Sequence, residues 1–278
     1  MTVESIESLV TYRVEGRVGI VTLNRPDKLN AISIALREQL VEVLHRADAD
    51  ELTRVIVLRG EGRSFSAGFD LGTGGPNTDD WQHDALKWHE HLKECLELQM
   101  LPWHMQKPVI ASVQGHALGG ACELAMFCDI TIAAENAIFG EPESRLSSAG
   151  PALIMPWIIG LKKARELLYF GDLIDARTAL QLGMINRVVP TSELVEASLA
   201  FAHRMALISH EALIAMKRAI NRGAEAAGFD SAIHAGLDVL APLYAARTEV
   251  GAEMQKISSK EGFRAALRWR HAQFEDKR

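Results

Sequence analysis

A chain of 278 residues, 48% apolar and 24% charged, is long enough to bury a sizeable core and is composed like an ordinary globular protein. Its net charge of −6, with no basic tail or stripe, argues against nucleic acid or an anionic membrane as the main partner. Three cysteines (Cys95, Cys122 and Cys128) form no CxxC pair, no run approaches about 18 apolar residues, and the acidic opening stretch MTVESIESLVTY lacks a signal-type run; a reducing, cytoplasmic setting without a disulfide framework or membrane span is expected.

The first predicted element is a strand, VGIVTLN at 18–24, which stops at Arg25-Pro26. Residues 33–47 then place Leu36, Leu40, Val43, Leu44 and Ala47 at the spacing of an amphipathic helix. VIVLRG at 55–60 reads as a buried strand ending in glycine. Residues 72–80, GTGGPNTDD, read as a mobile loop, and a helical pattern follows up to 107. PVIASVQG at 108–115 is a further strand, Gly119-Gly120 open a helix, and ITIAA at 130–134 returns to strand. Asp175 caps a short helix, ARTALQLG, closed by Gly183, and MINRVV is a strand. From Thr191 onward the pattern is helical, with Ser258-Ser259-Lys260-Glu261 read as a capping box before a last helix, GFRAALRWR. The alternation indicates an α/β core over 1–190 and a helical C-terminal portion over 191–278.

Two glycine-containing loops and a few acids stand out. In RSFSAGFDLG at 63–72, Gly68 permits a turn that leaves the Phe69 amide facing a ligand. Gly119-Gly120 do the same at a helix start, where the first amides have no partner within the helix and the dipole favours negative charge. Two such amides aimed at one carbonyl oxygen make an oxyanion hole, although two ordinary glycine turns are the simpler account on residues alone. Glu123 lies in the apolar run GHALGGACELAMFCDI, about one helical turn past Gly120. A carboxylate there is costly to bury unless it is paired or used. Twenty residues later FGEPESRL brings Glu141, Pro142 and Glu143, with Pro142 fixing the turn. Paired carboxylates beside an oxyanion hole suit proton removal next to a carbonyl, or activation of water. A dipole-favoured acid at 123 and a surface acid at 143 are equally open on this ground.

The stretches VTLNRPDKLNAIS, GRSFSAGFDL, ASVQGHALGGACELAMFCDITIAAENAIFGEPE and KARELLYFGDLIDARTALQLGMINRVVP, in this order, resemble the crotonase family of enoyl-CoA hydratases and isomerases. The resemblance implies a spiral of ββα units with a helical C-terminal region that closes the pocket and assembles trimers or hexamers. It implies hydration of an enoyl-CoA, or the reverse dehydration, through an enolate held by the amides of Phe69 and Gly120, with Glu123 and Glu143 as catalytic carboxylates. Coenzyme A is expected along Lys28, Leu29 and Ala31 and along Ala67, Phe69, Asp70 and Leu71. No metal and no cofactor beyond the CoA of the substrate is expected.

One segment departs from the family pattern. Where hydratases carry a glycine-rich stretch after the second glutamate, this chain reads SRLSSAGPALIMPWIIG. The acyl group is therefore open, and so is another crotonase-type outcome: isomerase, hydrolase or lyase. Leu153, Ile154, Met155 and Trp157 are either core or pocket wall, as are Trp81, Trp88 and Trp103. His83, His89 and His91 do not form a metal site, since residues two apart on a helix point about 200° apart. His116 reads as packing or pocket wall, and Ser64 and Ser66 lack the partners a serine nucleophile needs.

Overall fold

In a computed structural model of the protein, residues 8–72 and 83–275 are described. The chain opens with β1 (Val10–Glu15) and β2 (Val18–Leu23), an antiparallel pair turned at Gly16. It continues through α1 (Ile34–Ala49), β3 (Val55–Gly60), α2 (Ala85–His104), β4 (Val109–Val113), β5 (His116–Leu118), α3 (Gly120–Phe127), β6 (Ile130–Ala134) and β7 (Ile138–Gly140). Next come α4 (Met155–Ile159), α5 (Leu161–Phe170), β8 (Ile174–Asp175), α6 (Ala176–Gln181) and β9 (Arg187–Val189). The helices α7 (Leu194–Met205), α8 (His210–Ala226), α9 (Phe229–Ala245), α10 (Glu249–Glu261) and α11 (Phe263–Glu275) complete it.

The main sheet runs β1-β2-β3-β4-β6-β9, parallel from β2 onward. A second sheet, β5-β7-β8, is extended by parallel bridges at Ile32–Phe69 and Ser66–Ala117. Each main strand from β2 to β6 thus feeds a short rung of the second layer before a helix or loop returns the chain, which is the α/β spiral expected. Strands buried on both faces split the core by the two-residue period. Val21, Leu23, Ile56, Leu58, Val109 and Ala111 face the helices α1, α2 and α3. Val18, Ile20, Val55, Val57 and Ile110 face the opposite side, where α7 covers them with Leu194 and Ala202.

The helix over 33–47 is α1, its N-terminus capped by the Ser33 hydroxyl accepting from the Leu36 amide at 3.2 Å. Asp175 caps α6 through Thr178 N–H at 2.7 Å. Two readings need correction. Strand β1 was not foreseen, because Val10–Glu15 is an edge strand with three exposed positions and little apolar signal. The capping box at 258–261 is instead the last turn of α10, which starts at a Thr248 cap and is broken by Gly262 at φ +86°. A cap residue needs extended backbone, and these serines are helical. The loop read at 72–80 lies, apart from Gly72, outside the described residues.

Candidate active site

The two glycine loops meet at the seam between the sheets. Gly68 has φ +88°, and a Cβ on it would come within 2.5 Å of the Leu118 carbonyl oxygen. Its carbonyl accepts from Ile32 N–H at 2.8 Å, and Asp70 N–H donates to Ile32 at 3.0 Å. That bridging spends the groups on either side of Phe69 and turns the Phe69 amide the other way, where it has no backbone acceptor among the described residues. Gly119 has φ +53°, and its amide donates to the Gly140 carbonyl at 2.8 Å. Gly120 is the first residue of α3, so its amide has no helical partner and is likewise unclaimed by backbone. The structure thus brings the two predicted oxyanion amides to one place, neither with a backbone acceptor among the described residues.

Why this pair must be glycine follows from what surrounds it. A Cβ on Gly119 would overlap the Glu143 carboxylate, and one on Gly120 would overlap the Phe69 ring. Glu143 sits in the 3-10 turn Pro142–Leu146, whose first residue is the proline that sets its φ. Its side chain lines a cavity of about 310 Å³, together with Gly68, Phe69 and Gly119 from the two loops. That volume lies at the small end of ligand pockets, roughly 300–1,000 Å³.

Glu123 is placed differently. It is fully buried in the first turn of α3 and is not part of the cavity lining. Gln99 Nε2 donates to one carboxylate oxygen, and Ala152 N–H donates to the other at 3.0 Å. Gly150 packs so closely on this carboxylate that a Cβ there would overlap it. Segment 150–152 therefore lies over Glu123, while Glu143 lines the cavity.

A third acid, Glu141, directly follows strand β7 at 3% exposure, and neither of its oxygens finds a hydrogen-bond partner among the described residues. Burial, then the charges of Glu141 and Glu143, push the Glu123 carboxyl well above the ordinary carboxylate range. Glu141 is pushed up the same way, by burial and then by Glu143. Burial raises Glu143 to about 7. A carboxyl with that value exchanges its proton readily near neutrality, which suits a general acid or base.

The two segments expected to hold CoA are fastened to each other. Arg25 Nη1 pairs with Asp70 at 2.6 Å and also donates to the Ala31 carbonyl at 2.9 Å. The Asp70 side chain is thereby committed to Arg25 and to the Gly72 amide at 2.8 Å. Leu29 and Asn30 both hold left-handed φ of 52°. Asn30 is buried and sustains that backbone, accepting from Arg25 N–H and donating to the carbonyls of Glu61 and Ser64. Lys28 is exposed beside it, while Ala67 and Leu71 line the cavity.

The remaining candidates separate cleanly. His89 pairs with Asp238 at 2.8 Å, whereas His91 lines the cavity, so the two point apart as helical geometry requires. Among the described residues no group of His, Cys, Asp and Glu is arranged to hold a metal. Trp88 lines the cavity; Trp103 stacks on Phe229 at 4.5 Å away from it; Trp81 lies outside the described residues. Ile154 and Met155 are core, and Trp157 packs edge-on against Phe229. Ser64 contacts His116 at 3.3 Å and Ser66 donates to the Asn30 carbonyl, both structural ties. The three cysteines are buried free thiols, and no helix among the described residues is long and apolar enough to cross a membrane.

Sequence reasoning missed Gln99 and Tyr244. Gln99 continues the apolar stripe Leu92, Cys95, Leu96 of α2, and a lone amide on such a stripe was a readable signal. Tyr244 lines the cavity from α9, more than 100 residues beyond α3. Nothing local marks it.

A family model for enoyl-CoA hydratase/isomerase matches residues 13–276. A probable enoyl-CoA hydratase of Rhizobium meliloti is 38% identical over 226 residues, covering 80% of this chain and 84% of that protein. A short-chain-enoyl-CoA hydratase of Clostridium acetobutylicum is 35% identical over 219 residues, covering 77% and 81%. The crystal structure of an enoyl-CoA hydratase/isomerase from Xanthobacter autotrophicus Py2 superposes with a TM-score of 0.91 at 34% identity, over 96% of this chain and 98% of that one. The chain belongs to the enoyl-CoA hydratase/isomerase family.

Proposed function

We propose that the protein is an enoyl-CoA hydratase, adding water across the 2,3 double bond of a 2-enoyl-CoA or running the reverse dehydration, with no cofactor beyond the CoA of its substrate. One observation carries the reading: the Glu143 carboxylate lies against Gly119 in the cavity, beside two amides with no backbone partner. In this reading the thioester oxygen sits between the amides of Phe69 and Gly120. As the water oxygen bonds to C3 and gives up a proton to Glu123, the double bond's electrons move onto the thioester oxygen as an enolate, which collapses as Glu143 delivers a proton to C2. Glu123 helps activate the attacking water, and segment 150–152 must draw back for water to reach it. Lys28, Leu29, Ala31, Ala67, Asp70 and Leu71 line the path of the CoA, with Arg25 holding both segments in register.

The same reading assigns residues 1–190 to the acyl-CoA site and 191–278 to pocket closure and assembly into trimers or hexamers. Tyr244 in the cavity wall supports the first role, and exposed Leu207, Met216, Ile220 and Val239 support the second. The cytoplasm is the compartment that buried free thiols fit.

A second reading is favoured by the cover on Glu123. With Glu143 alone facing the cavity, one carboxylate moving a proton between C2 and C4 would isomerise a double bond. Loss of the conjugated-thioester absorbance on adding crotonyl-CoA, abolished in Glu143→Gln, supports hydration. Inertness there, with conversion of a 3-enoyl-CoA into its conjugated isomer, selects isomerisation.

A further inference from the structure

Within the segment after Glu143, residues 148–152 are tied to α9 by the phenol of Tyr244. Tyr244, on α9, donates its hydroxyl to the Ala149 carbonyl at 2.5 Å. One residue before that contact, Ser148 donates its amide and its hydroxyl to the Glu143 carbonyl, at 3.0 and 3.1 Å. Three residues after it, Ala152 N–H holds the Glu123 carboxylate. Segment 148–152 is therefore a strap with one end on each carboxylate residue, held by Tyr244 at Ala149 between them. The Tyr244 ring meanwhile lines the cavity and contacts the Trp88 ring at 5.0 Å between centroids. Trp88 comes from α2, the helix whose Gln99 holds the other side of Glu123.

The geometry points to Tyr244 as a positioning and specificity-determining residue, whose ring with Trp88 ends the acyl pocket and whose hydroxyl sets the strap that orients Glu123 and Glu143. This rests on the hydratase reading and adds a substrate class to it: a short 2-enoyl thioester whose tail stops at the aromatic pair. The cavity supports that class, since about 310 Å³ must take the thioester as well as the acyl tail. The strap is also where this chain departs from the glycine-rich pattern of hydratases.

Burial, with the nearby charges of Glu143 and Glu123, keeps the Tyr244 phenol protonated. It therefore donates throughout the neutral range. Losing that donor frees the strap while leaving the pocket's shape, because the ring remains.

Three variants separate the two roles. Tyr244→Phe keeps the ring; it is expected to lower kcat on crotonyl-CoA about 10- to 100-fold with KM nearly unchanged, the cost of a small misplacement of catalytic groups. Tyr244→Ala and Trp88→Ala open the wall; each is expected to raise the ratio of kcat/KM for 2-decenoyl-CoA over crotonyl-CoA by about tenfold or more. Melting followed by circular dichroism establishes that each variant is folded. Calorimetric binding of butyryl-CoA and decanoyl-CoA repeats the length test without turnover. A Tyr244→Phe enzyme with the parent's kcat, or one changed only in KM, overturns the positioning role. An unchanged length preference in both alanine variants, by rate and by binding, overturns the pocket role. Should the parent enzyme hydrate none of these thioesters, the hydratase reading fails by itself, and the binding ratios still decide where the acyl pocket ends.

Discussion

The carboxylate of Glu143 occupies the space that a side chain on Gly119 would need: a Cβ built on that glycine overlaps Oε1. The acid and the Gly119-Gly120 loop are thus packed backbone to carboxylate. Gly119→Ala is expected to lower kcat at least about 100-fold, the scale of losing one oxyanion donor. Its positive φ adds strain to the overlap. Stopped-flow absorbance with crotonyl-CoA measures the loss, and an alanine variant of full activity refutes the close approach.

Because burial raises Glu143 to about 7, its protonation changes across neutrality. Hydration uses the protonated acid, so kcat/KM for crotonyl-CoA falls as pH rises through about 7. The reaction releases no proton overall, so dehydration of the 3-hydroxyacyl-CoA must follow the same profile. Glu143→Gln should lose about 100- to 10,000-fold and lose that limb. A limb that survives unchanged in Glu143→Gln excludes Glu143 as the proton carrier.

Glu141 offers a test of stability rather than rate. Its folded pKa is raised by burial and by Glu143, so the neutral acid is what the fold accepts. The stability it contributes is fully present below the unfolded carboxyl value and is lost as pH climbs toward the folded one. The loss is about 1.4 kcal/mol per pH unit within that window. Glu141→Gln has no such window. Thermal melts from pH 5 to pH 8 should therefore show the variant gaining on the parent as pH rises, and parallel melting curves across that range refute the buried-acid reading.

Arg25 and Asp70 fasten the two segments assigned to CoA. Asp70→Asn or Arg25→Ala should raise KM for an enoyl-CoA about tenfold, by relaxing a charge-assisted contact, while kcat changes little. Steady-state kinetics decides. A fall in kcat at constant KM places this pair with the chemistry instead.

Away from the site, Lys217 reaches from α8 into the protein, donating to the carbonyls of Pro102 and Lys107 and pairing with Asp129 at 2.8 Å. The pair is partly enclosed, with side-chain exposures of 4% and 25%. Removing the cation in Lys217→Met leaves Asp129 and the carbonyls without it, and is expected to cost about 3 kcal/mol in urea unfolding. An unshifted midpoint shows that the pair is dispensable.

How much of this was legible follows from the range of the signal. The helix over 33–47, the Asp175 cap and the buried strands of the main sheet were readable, since helix and strand periods and caps are set by neighbours within a turn or two. So was the family, because its motifs carry glycines and acids at fixed spacing. Strand β1 escaped because an edge strand leaves half its residues in water, and the serines at 258–261 misled because a cap and a helical turn share composition. Gln99 was marked only by breaking an apolar stripe.

The sequence by itself determined the elements, the family and which acids and glycines are candidates, all of which rest on local pattern. Only the tertiary structure decided that Glu143 faces the cavity while Glu123 lies beneath segment 150–152, and that Glu141 is a third buried acid beside them. It alone brought Tyr244 from α9 onto the strap between the two carboxylates. Exposure, the desolvation that shifts an acid's pKa, and contacts between residues 95 apart such as Tyr244 and Ala149 depend on how distant elements pack, and no stretch of chain carries that information alone.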